Sequence, residues 1–283
     1  MHHSPPAAHH PPPPTHHSPL TTYLSDTDVA RFHEDGFVTV ERLFDGEEID
    51  LLRKVARADR QMVAGAASRR DGQGGVIQLA LSNEVGADLY SAIVRCRRIV
   101  DNMERLLGGE VYHYHHKMIL KEPLVGGAWE WHQDYGYWYD NGCLFPDMAS
   151  CMIAVDRATR ANGCLQVLRG SQRMGRITHG KVGDQTGADL ERVHAACERL
   201  DRVYCEMEPG SAIFFHCNLL HCSDQNHSTE PRWAFICCYN AARNNPYKES
   251  KHPRYSFLEK WPDEKVLEVG RKQWGAMCSL SNN

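Results

Sequence analysis

The sequence has no apolar run approaching the roughly 20 residues that a membrane span requires, and its N-terminus lacks the apolar stretch of a secretory leader. It carries no excess of positive charge. Its 32 Lys and Arg stand against 36 Asp and Glu, a formal net charge of −4, so nothing draws the chain toward nucleic acid or an anionic bilayer. There is no Cys-x-x-Cys pair, and the 11 cysteines are odd in number and scattered. Reduced, buried thiols in a cytoplasmic protein are therefore expected, not a disulfide framework. No internal repeat is evident. What the chain does have is core-forming material: 42% of its 283 residues are hydrophobic, enough for one large domain.

The first 21 residues are mostly His, Pro, Ser and Ala. They offer little to pack and many missing donors, so a disordered tail is expected. Its paired histidines could at most bind metal adventitiously. The folded domain then covers residues 22–283. Ser25 to Asp28 has the pattern of a capping box opening a helix with Val29 and Phe32 on one face. Gly36 closes it before a strand, Phe37–Val40. Asp45 to Glu48 opens a second helix, a polar loop is expected over Arg69–Gly75, and one long helical stretch over Leu89–Leu107. From Val111 the texture changes to short apolar runs separated by turn residues: Val111–Leu120, Cys151–Val155, Leu165–Leu168, Val203–Met207, Ala212–Phe215 and Trp233–Tyr239. Such spacing indicates an antiparallel sandwich or barrel. Helices thus flank a mainly β core, with a helical part over 22–110, the core over 111–245 and a C-terminal segment over 246–283. The Gly180–Leu200 stretch reads as an insertion ending in a helix from about Asp189.

The densest chemical signal is Trp129-Glu130-Trp131-His132-Gln133-Asp134-Tyr135. On a strand, His132 and Asp134 would project from the same face. An imidazole and a carboxylate so placed form two thirds of the two-His-one-carboxylate set that holds non-haem iron and leaves three positions open. A His-x-Asp tripeptide alone is weak evidence. Two further histidines follow downstream, His216 and His221, and either could be a third ligand. Ser223 lies two residues past His221, and Arg232 opens an apolar strand. An Arg fork and a hydroxyl are what a site needs to hold the far carboxylate of a diacid in an apolar pocket. No Ser and Arg stand at matching offsets from His216, which favours His221.

Taken together, His132-Gln133-Asp134, Asn162-Gly163-Cys164-Leu165, Arg169-Gly170-Ser171 and His221-Cys222-Ser223 with Arg232 eleven positions after the histidine resemble the phytanoyl-CoA dioxygenase family. Ectoine hydroxylase and related small-molecule hydroxylases belong to it, and the opening Phe32-His33-Glu34-Asp35-Gly36-Phe37 is similar to its N-terminal pattern. The resemblance implies a double-stranded β-helix (jelly-roll, cupin-like) core that binds Fe(II) and 2-oxoglutarate. It implies hydroxylation of an unactivated C–H with O2, releasing succinate and CO2. It places iron on His132, Asp134 and His221, and the 2-oxoglutarate carboxylate on Arg232 and Ser223. Trp129 falls beside the co-substrate, and Trp138 in the substrate pocket. The carboxylate ligand is present, which argues against the halogenating variants. The chain departs from the family at Arg169-Gly170-Ser171-Gln172 and at His221-Cys222, and both departures leave the substrate open.

Tyr135, Tyr137, Trp138 and Tyr139 crowd behind the first ligands, while Tyr112 and Tyr114 share a face of an earlier strand. Such rings could cage a cationic or zwitterionic metabolite, since π faces attract ammonium groups; ordinary packing is the alternative for any one of them. Tyr135, Tyr137, Trp138 and Tyr114 are therefore candidate substrate residues, and no basic cluster suggests a CoA phosphate. His113, His115 and His116 are read as hydrogen-bonding or pocket residues. A metal-dependent hydrolase or isomerase on a cupin-like barrel, and an acyl-CoA 2-hydroxylase, remain as alternative readings.

Overall fold

The chain is described by a computed structural model over residues 23–182 and 184–281, so the expected tail lies outside the described residues. In chain order the elements are α1 (Asp26–Asp35), β1 (Phe37–Val40), α2 (Gly46–Ala58), α3 (Arg60–Ala64), β2 (Ala67–Arg70), β3 (Val76–Ser82), α4 (Leu89–Arg95), α5 (Arg97–Leu107) and β4 (Val111–Lys121). There follow β5 (Trp129–His132), α6 (Asp134–Trp138), β6 (Met148–Ala154), β7 (Leu165–Leu168), β8 (His179–Val182), β9 (Gln185–Ala188), α7 (Leu190–Cys197), β10 (Arg202–Cys205), β11 (Ala212–His216), β12 (His221–Ser223), β13 (Arg232–Ala241) and α8 (Lys265–Ser281).

Two antiparallel sheets form the core. The larger has the order β1-β11-β6-β13-β4-β3-β2, and the smaller β10-β7-β12-β5. From β4 to β7 and from β10 to β13 the chain passes from one sheet to the other at successive strands, which is the jelly-roll winding. One apolar cluster fills the space between the sheets, with Ile77, Tyr112, Tyr114, Met152, Val167 and Phe215 among its members. A second lies between the outer face of the large sheet and the helices, joining Phe32, Leu52, Ile99, Met103, Phe214 and Phe235. Strands β6 and β13 are therefore covered on both faces, and every residue in them is buried. That double burial is why their sequences are continuous apolar runs instead of alternating ones.

The helix signals act locally as expected. Ser25 and Asp28 form a reciprocal capping box on α1, Asp45 and Glu48 another on α2. Gly36, at φ 86°, takes the left-handed conformation that ends α1. Glu48 has a further role: its carboxylate receives both Nη atoms of Arg98 at 2.7 and 2.8 Å in the buried helical layer. Burial raises the Glu48 pKa against the pull of Arg98.

Several segments differ from expectation. The helical stretch 89–107 is two helices, broken at Cys96, whose backbone is extended at φ −64° and ψ 142°. The freed backbone groups on either side are used by Trp261, which donates to Arg95 O at 2.9 Å and accepts from Arg97 N at 3.1 Å. The expected loop over Arg69–Gly75 is shorter, residues 71–75, because Arg69 and Arg70 belong to β2 of the β2–β3 hairpin, which extends the large sheet. The buried Asp71 carboxylate closes that turn, accepting from the amides of Gln73 and Gly75, and ties it to Ala128 N and Gln225 Nε2. The 180–200 insertion contains a hairpin, β8–β9, before its helix. The C-terminal segment ends in α8, which packs on α2 and α4.

Strand β4 carries a bulge. Cys238 pairs with His115 and Tyr239 with His113, so Tyr114 is an extra residue and the side-chain phase shifts there. His113 and His116 consequently share the helix-facing side, their ring nitrogens 3.1 Å apart. His115 turns inward. The simple alternation read from the sequence, with His113 and His115 together, is corrected by that one residue.

Replacing Arg98 by Ala is expected to cost about 3–5 kcal/mol in urea denaturation, because it leaves a buried carboxylate without its partner. A pH effect is expected too. Burial holds the His113 imidazole down to about 3, and those of His116 and His216 down to about 4. Below the ordinary value of 6.5 the unfolded chain therefore binds protons that the folded chain refuses, and stability falls with pH. The urea midpoint should be flat above about pH 7 and decline below it, by on the order of 1.4 kcal/mol per pH unit for each histidine until its folded pKa is reached.

Candidate metal centre

Antiparallel pairing of β5 with β12 sets His132 directly opposite His221, with ring centroids 4.0 Å apart. The third member arrives differently from the expected strand alternation. Strand β5 ends at His132, Gln133 continues extended at φ −115° and ψ 135°, and the chain then turns into α6 with Asp134 as its first residue. The His132 and His221 Nε2 atoms lie 3.8 and 4.0 Å from Asp134 Oδ1. Ligand atoms of the three residues fall within 4.8 Å of one another, and all three side chains are buried.

The surroundings fix the protons. His132 Nδ1 donates to Glu130 O at 2.8 Å, and His221 Nδ1 donates to Leu219 O at 2.9 Å. A carbonyl can only accept, so each Nε2 presents its lone pair toward Asp134. Burial, and for His132 the neighbouring His221, lowers both imidazole pKa values and keeps the rings neutral. Ser150 Oγ donates to Asp134 Oδ2 at 3.1 Å, leaving Oδ1 for a metal. Gln133, the residue between the two candidate ligands, points the other way and acts as a clamp. Its Nε2 donates to Gly175 O and Asn218 O, its Oε1 accepts from Ile177 N, and its own amide donates to His179 Nε2. The donor set, two neutral imidazoles and one carboxylate on one side of a cavity, fits Fe(II).

An apolar compartment extends from the triad between the sheets, walled by Ile77, Ile119, Leu165, Phe215 and Ile236. Arg232 and Ser223 stand at its far end, and Trp129 lines its side. Arg232 is 4% exposed; its Nη2 donates to Gly163 O at 2.7 Å, but its buried Nε has no partner. Gly163, at φ 74°, is required there, since a Cβ would collide with the Asp224 carbonyl. A buried guanidinium in the lining of an apolar pocket, with one donor unpaired, fits a carboxylate-bearing co-substrate. Sequence reading gave Lys121 no role, yet its ammonium lies in this same end and reaches Ser223 Oγ. A charged residue inside the otherwise buried run of β4 was the signal available.

A second chamber of about 430 Å³ opens on the other side of the triad, within the range of small-molecule sites. It is walled by His115 and Lys117 of β4, Tyr137 and Trp138 of α6, the β2–β3 and β8–β9 hairpins, and His252. Tyr137 also anchors the second hairpin through its hydroxyl on Thr186 O at 2.6 Å. Two candidates are not at this chamber. Tyr135 packs into the core and donates to Cys143 O. Tyr114 is fully buried behind the wall, where it stacks on His252 and meets Trp138 edge-on. Both are aromatics adjacent in sequence to chamber residues, and turn and bulge geometry points them elsewhere. His216 is likewise apart from the triad: its Nδ1 accepts from Asn218 N, and its ring packs near Phe32.

The Phytanoyl-CoA dioxygenase (PhyH) family pattern matches residues 32–234. The chain belongs to this family. Ectoine dioxygenase of Sphingopyxis alaskensis is 27% identical over 266 residues, covering 88% of this chain and 87% of its own length. L-proline trans-4-hydroxylase of Streptomyces griseoviridis is 29% identical over 184 residues, 59% of this chain and 68% of its own. The crystal structure of EctD from S. alaskensis in its apoform aligns with a TM-score of 0.72 at 25% identity, covering 85% of this chain and 89% of that one. This family member is a non-haem iron dioxygenase that uses Fe(II), 2-oxoglutarate and O2. No helix among the described residues is long and apolar enough to cross a membrane.

Anaerobic titration with Fe(II) or Co(II) is expected to show affinity losses of more than about 100-fold for His132→Ala and His221→Ala. His216→Ala should stay within about twofold of the unsubstituted protein. A loss of equal size at His216 would remove His221 from the site.

Proposed function

We propose that the chain hydroxylates a small zwitterionic metabolite at a C–H bond held over His132, Asp134 and His221. The observation that carries this reading is the division of space around the triad. An apolar compartment is lined by Arg232 and Ser223, and a larger chamber, which meets it at Lys117, Trp129, His132 and Asp134, carries charged and aromatic walls. One suits a diacid co-substrate, the other a polar substrate. Bound at the triad, iron supplies the oxidising power that places one oxygen atom of O2 on the substrate while 2-oxoglutarate becomes succinate and CO2.

The protein's own residues supply geometry. The two Nε2 lone pairs and Asp134 Oδ1 occupy one side of the metal position, which leaves the opposite side for co-substrate and O2. Arg232, with Ser223 beside it, fixes the far carboxylate of 2-oxoglutarate, so that the keto-acid end is delivered to the metal in one orientation. Trp129 forms part of both cavities and separates co-substrate from substrate. In the chamber Lys117, 3.9 Å from Asp134 Oδ1, and Arg69 offer positive charge to a substrate carboxylate. Tyr137 and Trp138 offer π faces to its ammonium group, and Asp184 lies at the rim. The amino-acid and cyclic amino-acid chemistry named in the relatives L-proline trans-4-hydroxylase and ectoine dioxygenase is of this class. Among the described residues Arg69 and Lys117 are the only Lys or Arg in this wall, short of the basic cluster that the phosphates of an acyl-CoA need.

Succinate release with Fe(II), 2-oxoglutarate and O2 is expected to rise at least about tenfold with an amino-acid-like or betaine-like compound. Trp138→Ala should raise KM for that compound far more than KM for 2-oxoglutarate. Stimulation by fatty acyl-CoAs alone would refute the substrate class.

A further inference from the structure

Lys121 is the last residue of β4, and the bulge at Tyr114 turns it inward with Lys117 and Ile119. It is 0% exposed. Its Nζ donates to Ser223 Oγ at 2.9 Å, to the Asp224 carbonyl and, at 3.5 Å, to Gly163 O. Gly163 O is also the acceptor of Arg232. Two cationic side chains are thus buried around one carbonyl, and among the described residues neither has a carboxylate within ion-pairing distance. The nearby Asp224 side chain is engaged elsewhere, accepting from Gln166 Nε2 at 2.6 Å. Burying like charges together without an anion is costly. Burial and the Arg232 charge push the Lys121 ammonium well below its ordinary range, and burial pushes Arg232 down to about 10.

The hydrogen-bond direction matters as much as the charge. A dianion in the compartment favours the charged form of Lys121, and an ammonium has three protons and no lone pair, so Ser223 Oγ then accepts from it. The hydroxyl proton of Ser223 is then released to point into the compartment that Ser223 and Arg232 line together. A serine without such a donor could turn its proton to a backbone carbonyl and face a carboxylate with its lone pairs, which would repel it.

We propose that Lys121 is a positioning residue for 2-oxoglutarate: by donating to Ser223 Oγ it fixes that hydroxyl as a donor to the distal carboxylate and supplies the second positive charge for a dianion. The proposal rests on the reading of Arg232 and Ser223 as the carboxylate clamp. It assigns a function to a lysine that would otherwise only tie β4 to the turn after β12.

The test is direct binding by calorimetry, under anaerobic conditions with Fe(II) present. It compares 2-oxoglutarate with 2-oxovalerate, which has the same keto-acid head and a methyl group in place of the far carboxylate. Lys121→Met is expected to weaken 2-oxoglutarate about tenfold and leave 2-oxovalerate within about twofold. Lys121→Gln, which can still donate to Ser223, should recover part of the loss. In a Ser223→Ala background only the charge contribution of Lys121 remains, so Lys121→Met should cost about threefold in 2-oxoglutarate affinity instead of about tenfold. Equal weakening of both keto acids, or an undiminished loss in the Ser223→Ala background, would overturn the proposal and leave Lys121 as a structural tie. If Arg232→Met fails to discriminate between the two keto acids, the carboxylate clamp itself is wrong, and the Lys121 proposal falls with it.

Discussion

The antiparallel pairing of β5 with β12 is the constraint on which the site depends. Directly opposed residues in such a pair bring their Cβ atoms within about 5 Å, close enough for two imidazoles to share one metal. The register opposes His132 to His221 and then shifts by one residue, so that Trp129 stands across from Ser223, and these two short strands set both the metal end and the co-substrate end. A slip by one residue would turn both sets to the other face. The slip is resisted from outside the pair: β7 holds β12 on its other side, and Gln133 ties the end of β5 to two separate backbone segments, at Gly175 and Ile177 and at Asn218. The hairpin carboxylate of Asp71 adds a further tie, reaching the loop before β5 and Gln225 after β12.

Electrostatics divides the interior in two. Near the metal position a carboxylate is balanced by neutral rings and by Lys117, whereas at the far end positive charge accumulates without an internal counter-ion. Stability and ligand binding are coupled through that imbalance. The folded apoprotein carries the desolvation of Arg232 and Lys121, and an entering dianion relieves it, so ligand binding and folding reinforce each other. Sites of this kind trade some apoprotein stability for discrimination, because a mono-acid leaves the excess charge in place.

Much of this was legible in the sequence because it rests on short-range rules. Capping boxes at Ser25 and Asp45 and the positive-φ glycine at 36 are written in three or four residues, and the structure has them where the residues indicate. The β core was legible from its apolar runs. Legibility failed wherever a distant partner decides. The break at Cys96 depends on Trp261, and the strand character of Arg69 and Arg70 on a sheet edge that the local polar residues do not announce. In the site, His132, Asp134, His221, Ser223 and Arg232 were found by spacing, and all of them are gathered around the two cavities. Tyr135 was chosen by nearness to the first ligands and Tyr114 by the strand face it shares with Tyr112, and neither criterion reports side-chain direction across a helical turn or a bulge. Lys121 escaped because a lysine at a strand end is ordinarily solvent-facing.

The bulge in β4 gives the protein a particular evolutionary latitude. Residues before Tyr114 and after it stand in opposite phase, so the strand is in effect two segments that meet at one movable joint. Shifting that joint by a single residue toward the C-terminus would exchange which side chains among His113 to His116 face the chamber, while Lys121 and the metal-bearing strands of the other sheet kept their places. A new substrate preference could then arise from relocating one residue of slack, with the oxidative machinery inherited unchanged.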